Sequence, residues 1–177
     1  MLNYEVELSQ SLFDHRLHGS LALFFIDGKD MIQTSMVDGR PLNTNTGSFI
    51  NKGFEIELGW RVNSKWNLAA NYSYLHTDNP TLQGAPKNKL NGRVDFATGG
   101  FSMSLESNNI WGLKTGSPDN ASQNYSLLNL RAGYAFEGRS TFMPFVKLDN
   151  ITDSRYEIIY GCPMPGFTVM AGIEVKF

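Results

Sequence analysis

The chain has 177 residues, with 15 Lys and Arg against 17 Asp and Glu, a formal net charge of -2, 12 Phe, 7 Tyr, 3 Trp, 17 Gly and 1 Cys. A lone cysteine excludes an internal disulfide framework and a Cys-cluster zinc site, and the slightly negative charge argues against nucleic-acid binding by bulk electrostatics. No stretch approaches the roughly 18 apolar residues of a membrane helix, and the N-terminus has no signal-peptide pattern.

The period along the chain is two, not 3.6. Tyr4, Val6 and Leu8 face away from Glu5 and Glu7, and Leu17, Leu21, Leu23 and Phe25 face away from His18 and Ser20. Phe54, Ile56, Leu58 and Trp60 alternate with Glu55, Glu57 and Gly59; Trp66, Leu68, Ala70, Tyr72 and Tyr74 alternate with Asn67, Ala69, Asn71 and Ser73. The pattern recurs from Leu90 to Phe96, from Phe101 to Leu105, from Leu128 to Phe136 and from Phe142 to Leu148. It recurs last from Phe167 to Phe177. About nine strands are expected, most of roughly 10–13 residues, where a tilted strand needs roughly 9–11 to cross a bilayer. Formal charge is confined to the polar side of every segment, which a half-solvated sandwich would also show.

Two features favour the membrane reading. Short connections near residue 14 and at 63–65, 98–100 and 137–140 alternate strictly with long ones at 28–47, 77–87, 112–123 and 155–166. Outer-membrane barrels sort their turns and loops this way. Phe13, Trp60, Trp66, Phe96, Phe101, Phe136 and Phe142 fall beside the short connections and Phe177 ends the chain, as an aromatic girdle at one rim requires. The expected fold is therefore all-β, an antiparallel up-and-down transmembrane β-barrel segment. A nine-strand count is odd where bacterial single-chain barrels are even, so residues 1–177 are expected to be a piece whose upstream strands are absent. A passive porin-type or small barrel, and a soluble lipocalin-like or β-sandwich binding domain, are the alternatives.

Asp149-Asn150-Ile151-Thr152-Asp153-Ser154-Arg155-Tyr156, followed by Pro163-Met164-Pro165-Gly166 and a last strand ending in Phe177, resembles the C-terminal signature of TonB-dependent outer-membrane receptors. Leu17 to Ile32, Asn51 to Leu58 and Pro86 to Leu90 resemble strands just upstream in that family, so the likeness covers nearly the whole chain. The resemblance implies the last nine strands of a 22-stranded barrel around a plug. It also implies energised uptake of a siderophore, haem, cobalamin or glycan through an inner-membrane TonB complex that acts on the absent N-terminal part. Asn150, Asp153, Tyr156, Pro165, Gly166 and Phe177 carry the family motif, and Phe177 matches the C-terminal aromatic that the barrel-assembly machinery reads. Outer-membrane lipid, the protein's own plug and its upstream strands are the implied partners, with no nucleic acid and no cofactor.

Nothing in the sequence points to catalysis: no nucleophile elbow and no HExxH is present. His15 and His18, three apart, are expected on opposite faces of a strand, and no metal site is expected. His76 and Asp78, where a long loop begins, are ligand-binding candidates, as are Arg93 and Arg131 on the polar side. Glu55, Glu57, Asp95, Lys147 and Asp149 are expected to face the plug, with Arg93 pairing Asp95 and Lys147 pairing Asp149 across strands. The tips 36–46, 77–84, 114–120 and 157–165 are where solute is expected to meet the protein first.

Overall fold

The computed structural model describes the chain except Asp30, Met31, Asp38, Gly39, Thr46, Pro80, Thr81 and Arg139, and except the side chains of Gln33, Ser35 and Met36. Its strands are β1 (Leu2–Leu12), β2 (Leu17–Gly28), β3 (Ile32–Val37), β4 (Arg40–Asn45), β5 (Phe49–Arg61), β6 (Trp66–Thr77), β7 (Asn88–Thr98), β8 (Phe101–Lys114), β9 (Ser122–Tyr134), β10 (Thr141–Asp149), β11 (Glu157–Ile159), β12 (Cys162–Pro163) and β13 (Thr168–Lys176). Nine of them form one antiparallel sheet in the order β1-β2-β5-β6-β7-β8-β9-β10-β13, so each strand lies beside the one it follows in that series. The other four are two hairpins, β3-β4 and β11-β12, inside long connections that the alternation reads as loops. Their segments are only two to six residues long, too short for a period to stand out.

Among the described residues the sheet is a wall without a second layer. Among the described residues only Ile110 and Leu113 are buried hydrophobics, and the surface exposed is 12141 Å². A compact monomer of 19.8 kDa would expose about 8,600 Å². A sandwich of this length would have a core between its sheets, so the soluble two-layer alternative is excluded.

Register assigns every side chain to a face. Leu17, Trp60, Leu68, Val94, Leu105 and Leu130 share one row across six strands, and Leu21, Ile56, Tyr72 and Leu90 share another. The opposite face carries Glu7 and Glu55 on either side of Ala22, then Arg93 opposite Glu106 and Arg131 opposite Lys147. Along the apolar face the first strongly polar residue stands eight positions from the aromatic foot on three strands: Trp60 to Lys52, Phe96 to Asn88 and Phe101 to Asn109. Eight residues rise about 27 Å along a strand. At a typical barrel tilt of about 40° this spans about 20 Å of membrane normal, close to the roughly 25 Å apolar band of outer-membrane barrels.

Rings mark both limits of that band. At the short-turn end Trp66, Phe96 and Phe101 form a chain with centroids 4.5 and 6.2 Å apart, and Tyr134, Phe136 and Phe142 another at 4.8 and 6.5 Å. At the long-loop end Phe54 lies 5.7 Å from both Tyr72 and Tyr74, and Tyr4 lies 6.5 Å from Phe25. The Tyr72 hydroxyl donates to Asn88 Oδ1 at 2.7 Å, so its polar tip is satisfied at the boundary while the ring stays in the apolar belt. The short turns are locally encoded. Asn63 Oδ1 accepts the N–H groups of Lys65 and Trp66 at 2.8 and 3.0 Å, an Asx turn that folds the chain back without a glycine.

Candidate functional site

Charge on the inner face is organised into two regions. On β7 and β8, Arg93 Nε donates to both Asp95 oxygens at 2.9 Å, and Arg93 Nη1 reaches Glu106 across the strands at 2.9 Å. Farther along, Lys147 Nζ holds Asp149 at 2.9 Å. The Arg93–Asp95 and Lys147–Asp149 pairs therefore run along one strand, because residues two apart share a face, and not across strands as expected. Arg131 pairs with Glu174, spanning β10, and its guanidinium lies 4.5 Å above the Phe145 ring. Glu55 and Glu57, by contrast, form no ion pair among the described residues, and their neighbours across β6 are Ser73 and Asn71. The side chains in these pairs are one-third to one-half exposed, so each pair is worth under about 1 kcal/mol in isolation. Their consequence is a polar wall that can take further partners.

His76 and Asp78 do not join this wall. His76 sits directly opposite Lys52 and on the same face as Phe54 and Tyr74, above the upper aromatic belt. Asp78 closes the end of β6: its Oδ1 accepts the Ile50 N–H at 2.7 Å and its own N–H donates to Ile50 O. His15 also differs from expectation. It lies in the turn after β1 with φ 62°, and only His18 is in a strand, with Nδ1 3.2 Å from Ser11 Oγ.

The motif residues form a clasp at the long-loop rim. Asn150 is 4% exposed and adopts φ 51°, as does Asp153 at 49°, a region that Asn and Asp enter more readily than other side-chain-bearing residues. Asn150 Nδ2 donates to Ser154 O at 2.9 Å and Pro165 O at 3.2 Å, while its Oδ1 accepts from Ser154 N and Thr152 Oγ1. One side chain thus ties the two ends of the β10–β13 connection together. Asp153 Oδ1 accepts the Phe167 N–H at 2.9 Å and occupies the space that a β-carbon on Gly166 would need, 2.4 Å away. Tyr156 stacks on Tyr125 of β9 with centroids 4.4 Å apart. The Ser154 hydroxyl donates to Ser126 O at 2.6 Å, and the single Thr152 hydroxyl proton is shared between Ser126 O at 3.0 Å and Asn150 Oδ1 at 3.2 Å. The sequence motif is thus a structural lock between β9, β10 and β13.

Phe177 lies beyond β13 and is fully exposed. The 115–121 loop is tied by Asp119, whose carboxyl the Ser117 hydroxyl at 2.7 Å and the Ala121 N–H at 3.1 Å hold below the ordinary aspartate range. Among the described residues no group of three or more His, Cys, Asp or Glu is placed to hold a metal.

The partners Glu106 and Glu174, and the second aromatic belt, were not singled out by the sequence reading. Their parity was visible, but which rows meet depends on register. The loop tips 36–46 and 77–84, and the stretch from Leu17 to Ile32, each include positions outside the described residues.

Comparison with known proteins agrees with this geometry. The profile of the family described as "TonB dependent receptor-like, beta-barrel" matches residues 2–151. The ferric-pyoverdine M114 receptor PbuA of Pseudomonas sp. (strain M114) is 25% identical over 174 residues, covering 87% of this chain and 21% of that protein. The siderophore receptor PiuA from Acinetobacter baumannii superposes with a TM-score of 0.77 at 16% identity, over 99% of this chain and 28% of that one. The ferripyoverdine receptor of the outer membrane of Pseudomonas aeruginosa gives 0.70 at 19%, over 97% and 26%. The chain thus spans about a fifth of the curated relative's length. With one uncharged face, one charged face and a family profile over most of its length, the chain belongs to the TonB-dependent receptor β-barrel family of the outer membrane.

Proposed function

We propose that residues 1–177 are the C-terminal part of the barrel of a receptor that imports a ferric siderophore across the outer membrane. The observation that carries this reading is the division of one nine-strand wall into an uncharged ringed face and a charged face, in a chain whose curated relative is a ferric-pyoverdine receptor. That relative supports a siderophore among the four solute classes implied by the resemblance, and the family is one of receptors. On this reading the apolar face meets outer-membrane lipid. Glu55, Glu57, Asp95, Lys147 and Asp149 face a plug supplied, with the remaining strands, by the rest of the protein. Arg93 and Arg131 line the path of the solute, and the His76–Asp78 corner lies at its mouth. Energy comes from the TonB complex acting on the plug, and Phe177 presents the last strand to the barrel-assembly machinery.

The test is uptake of radiolabelled iron by an iron-starved strain lacking the full-length gene, supplied with single siderophores and complemented with the gene. Loss of uptake for one ferric siderophore class, restored by the gene and abolished again without TonB, is the expected result. Unchanged uptake of every ferric siderophore, or restored uptake that persists without TonB, would overturn the proposal.

A further inference from the structure

One seam of the wall differs from the rest. Seven of the eight neighbouring strand pairs hold nine to twelve paired positions, whereas β9 and β10 hold four, from Leu130–Leu148 to Gly133–Phe145. At the long-loop end the ladder stops after Leu148; at the short-turn end the cause is Pro144. Phe136 and Phe142 exchange both backbone bonds, at 2.8 and 3.1 Å. In an antiparallel ladder the next pair of this kind lies two residues on, which is Tyr134 with Pro144. Proline has no N–H to give the Tyr134 carbonyl, and interior strands seldom carry it for that reason. The ladder breaks there and resumes at Phe145.

Other groups hold the two sides together. At the long-loop end the Ile151 N–H donates to Leu128 O at 2.8 Å, and the Asn150 N–H to Asn129 Oδ1 at 2.9 Å. Beside the break, on the lumen face, Phe145 lies over Gly172, where a β-carbon would stand 2.6 Å from the ring. Arg131 of β9 covers that ring and reaches Glu174 of β13. This one side chain bridges three strands where the ladder between two of them is interrupted.

We propose that the β9–β10 seam is a compliant joint in the barrel wall, interrupted at Pro144 and held shut from the lumen by the Arg131–Glu174 clasp over Phe145. The joint is a property of these residues and does not depend on which solute is imported. Because the clasp is exposed to the lumen, whatever occupies the lumen can reach it.

The experiment is hydrogen exchange on the full-length receptor in detergent micelles, read by mass spectrometry with fragmentation that resolves single amides. By the alternation above, Leu130, Ala132, Tyr134, Val146 and Leu148 point their amides into the seam. They should exchange at least tenfold faster than the seam amides between β7 and β8. Arg131→Gln and Glu174→Gln should each quicken them a further threefold or more while leaving β5 to β8 unchanged, and Pro144→Val should slow them toward the β7–β8 rate. Heat-dependent gel mobility verifies that each variant is folded. If the clasp variants fail to fold, Pro144→Val alone decides. Seam amides as slow as those of β7–β8, or a Pro144→Val protein whose seam exchanges no more slowly, would overturn the proposal.

Discussion

Asn150→Ala in the full-length receptor is the sharpest perturbation of the rim. The substitution removes two donated and two accepted hydrogen bonds from a side chain that is 4% exposed. At about 0.5–1.5 kcal/mol net for each bond, and about 1 kcal/mol for alanine at a left-handed position without a compensating side-chain bond, the connection loses about 3–7 kcal/mol of local stability. Every 1.4 kcal/mol is a factor of about ten, so the amides of Ile151, Ser154 and Phe167 should exchange at least a hundredfold faster. The amides of β5 to β7, remote from the rim, should keep their rates. Asn150→Gly loses the same bonds without the backbone penalty and should fall about 1 kcal/mol short of alanine. Changes under threefold in the alanine variant would refute the assignment of the motif as a lock.

Three further outcomes follow from the same geometry. Gly166→Ala places its β-carbon against Asp153 Oδ1, so it should expose the Phe167 amide to exchange, and should cost less in an Asp153→Ala background than alone. Leu105→Arg, on the uncharged face near mid-band, should lower the folding stability of the barrel by about 2–4 kcal/mol in lipid; Ser104→Arg, one residue away on the charged face, should cost far less, as urea titration in vesicles would show. Asp119 is held below its ordinary value, so its folded carboxylate stabilises the 115–121 loop above the unfolded pKa of about 3.9. That contribution is lost as pH falls through the lower folded value, so exchange-corrected protection of the Ala121 amide should be flat from pH 7 to 5 and decline only in stronger acid.

The strands were legible because a single sheet with one uncharged and one charged face writes its two-residue period directly into the sequence. Leu68 and Ala69 are told apart by neighbours two positions away, without knowledge of any distant contact. The nine long strands follow from that period, and the lower girdle from the aromatics beside the short connections. Pairings across the lumen face were harder. Arg93 with Glu106 and Arg131 with Glu174 depend on register, and Arg131 reaches past the adjacent strand, which no local pattern encodes. Pro144 reads as an ordinary member of the apolar row, and its effect emerges only once Tyr134 is known to lie opposite. Asn150 and Asp153 were recognisable as a motif by resemblance, but their role needs the positive φ angles and the buried bonds to Ser154, Pro165 and Phe167. Which face His76 occupies follows from its pairing with Lys52, which proximity to a loop does not encode.

The account rests on acyl chains covering the uncharged face, and a nitroxide scan along β6 in the full-length receptor reconstituted in lipid vesicles tests this most directly. Labels at Trp66, Leu68, Ala70, Tyr72 and Tyr74 should show high accessibility to oxygen and low accessibility to a water-soluble nickel chelate, with the opposite or a shielded response at Asn67, Ala69, Asn71 and Ser73. A scan without that two-residue alternation, or one in which Leu68 and Ala70 are shut off from oxygen, would contradict it.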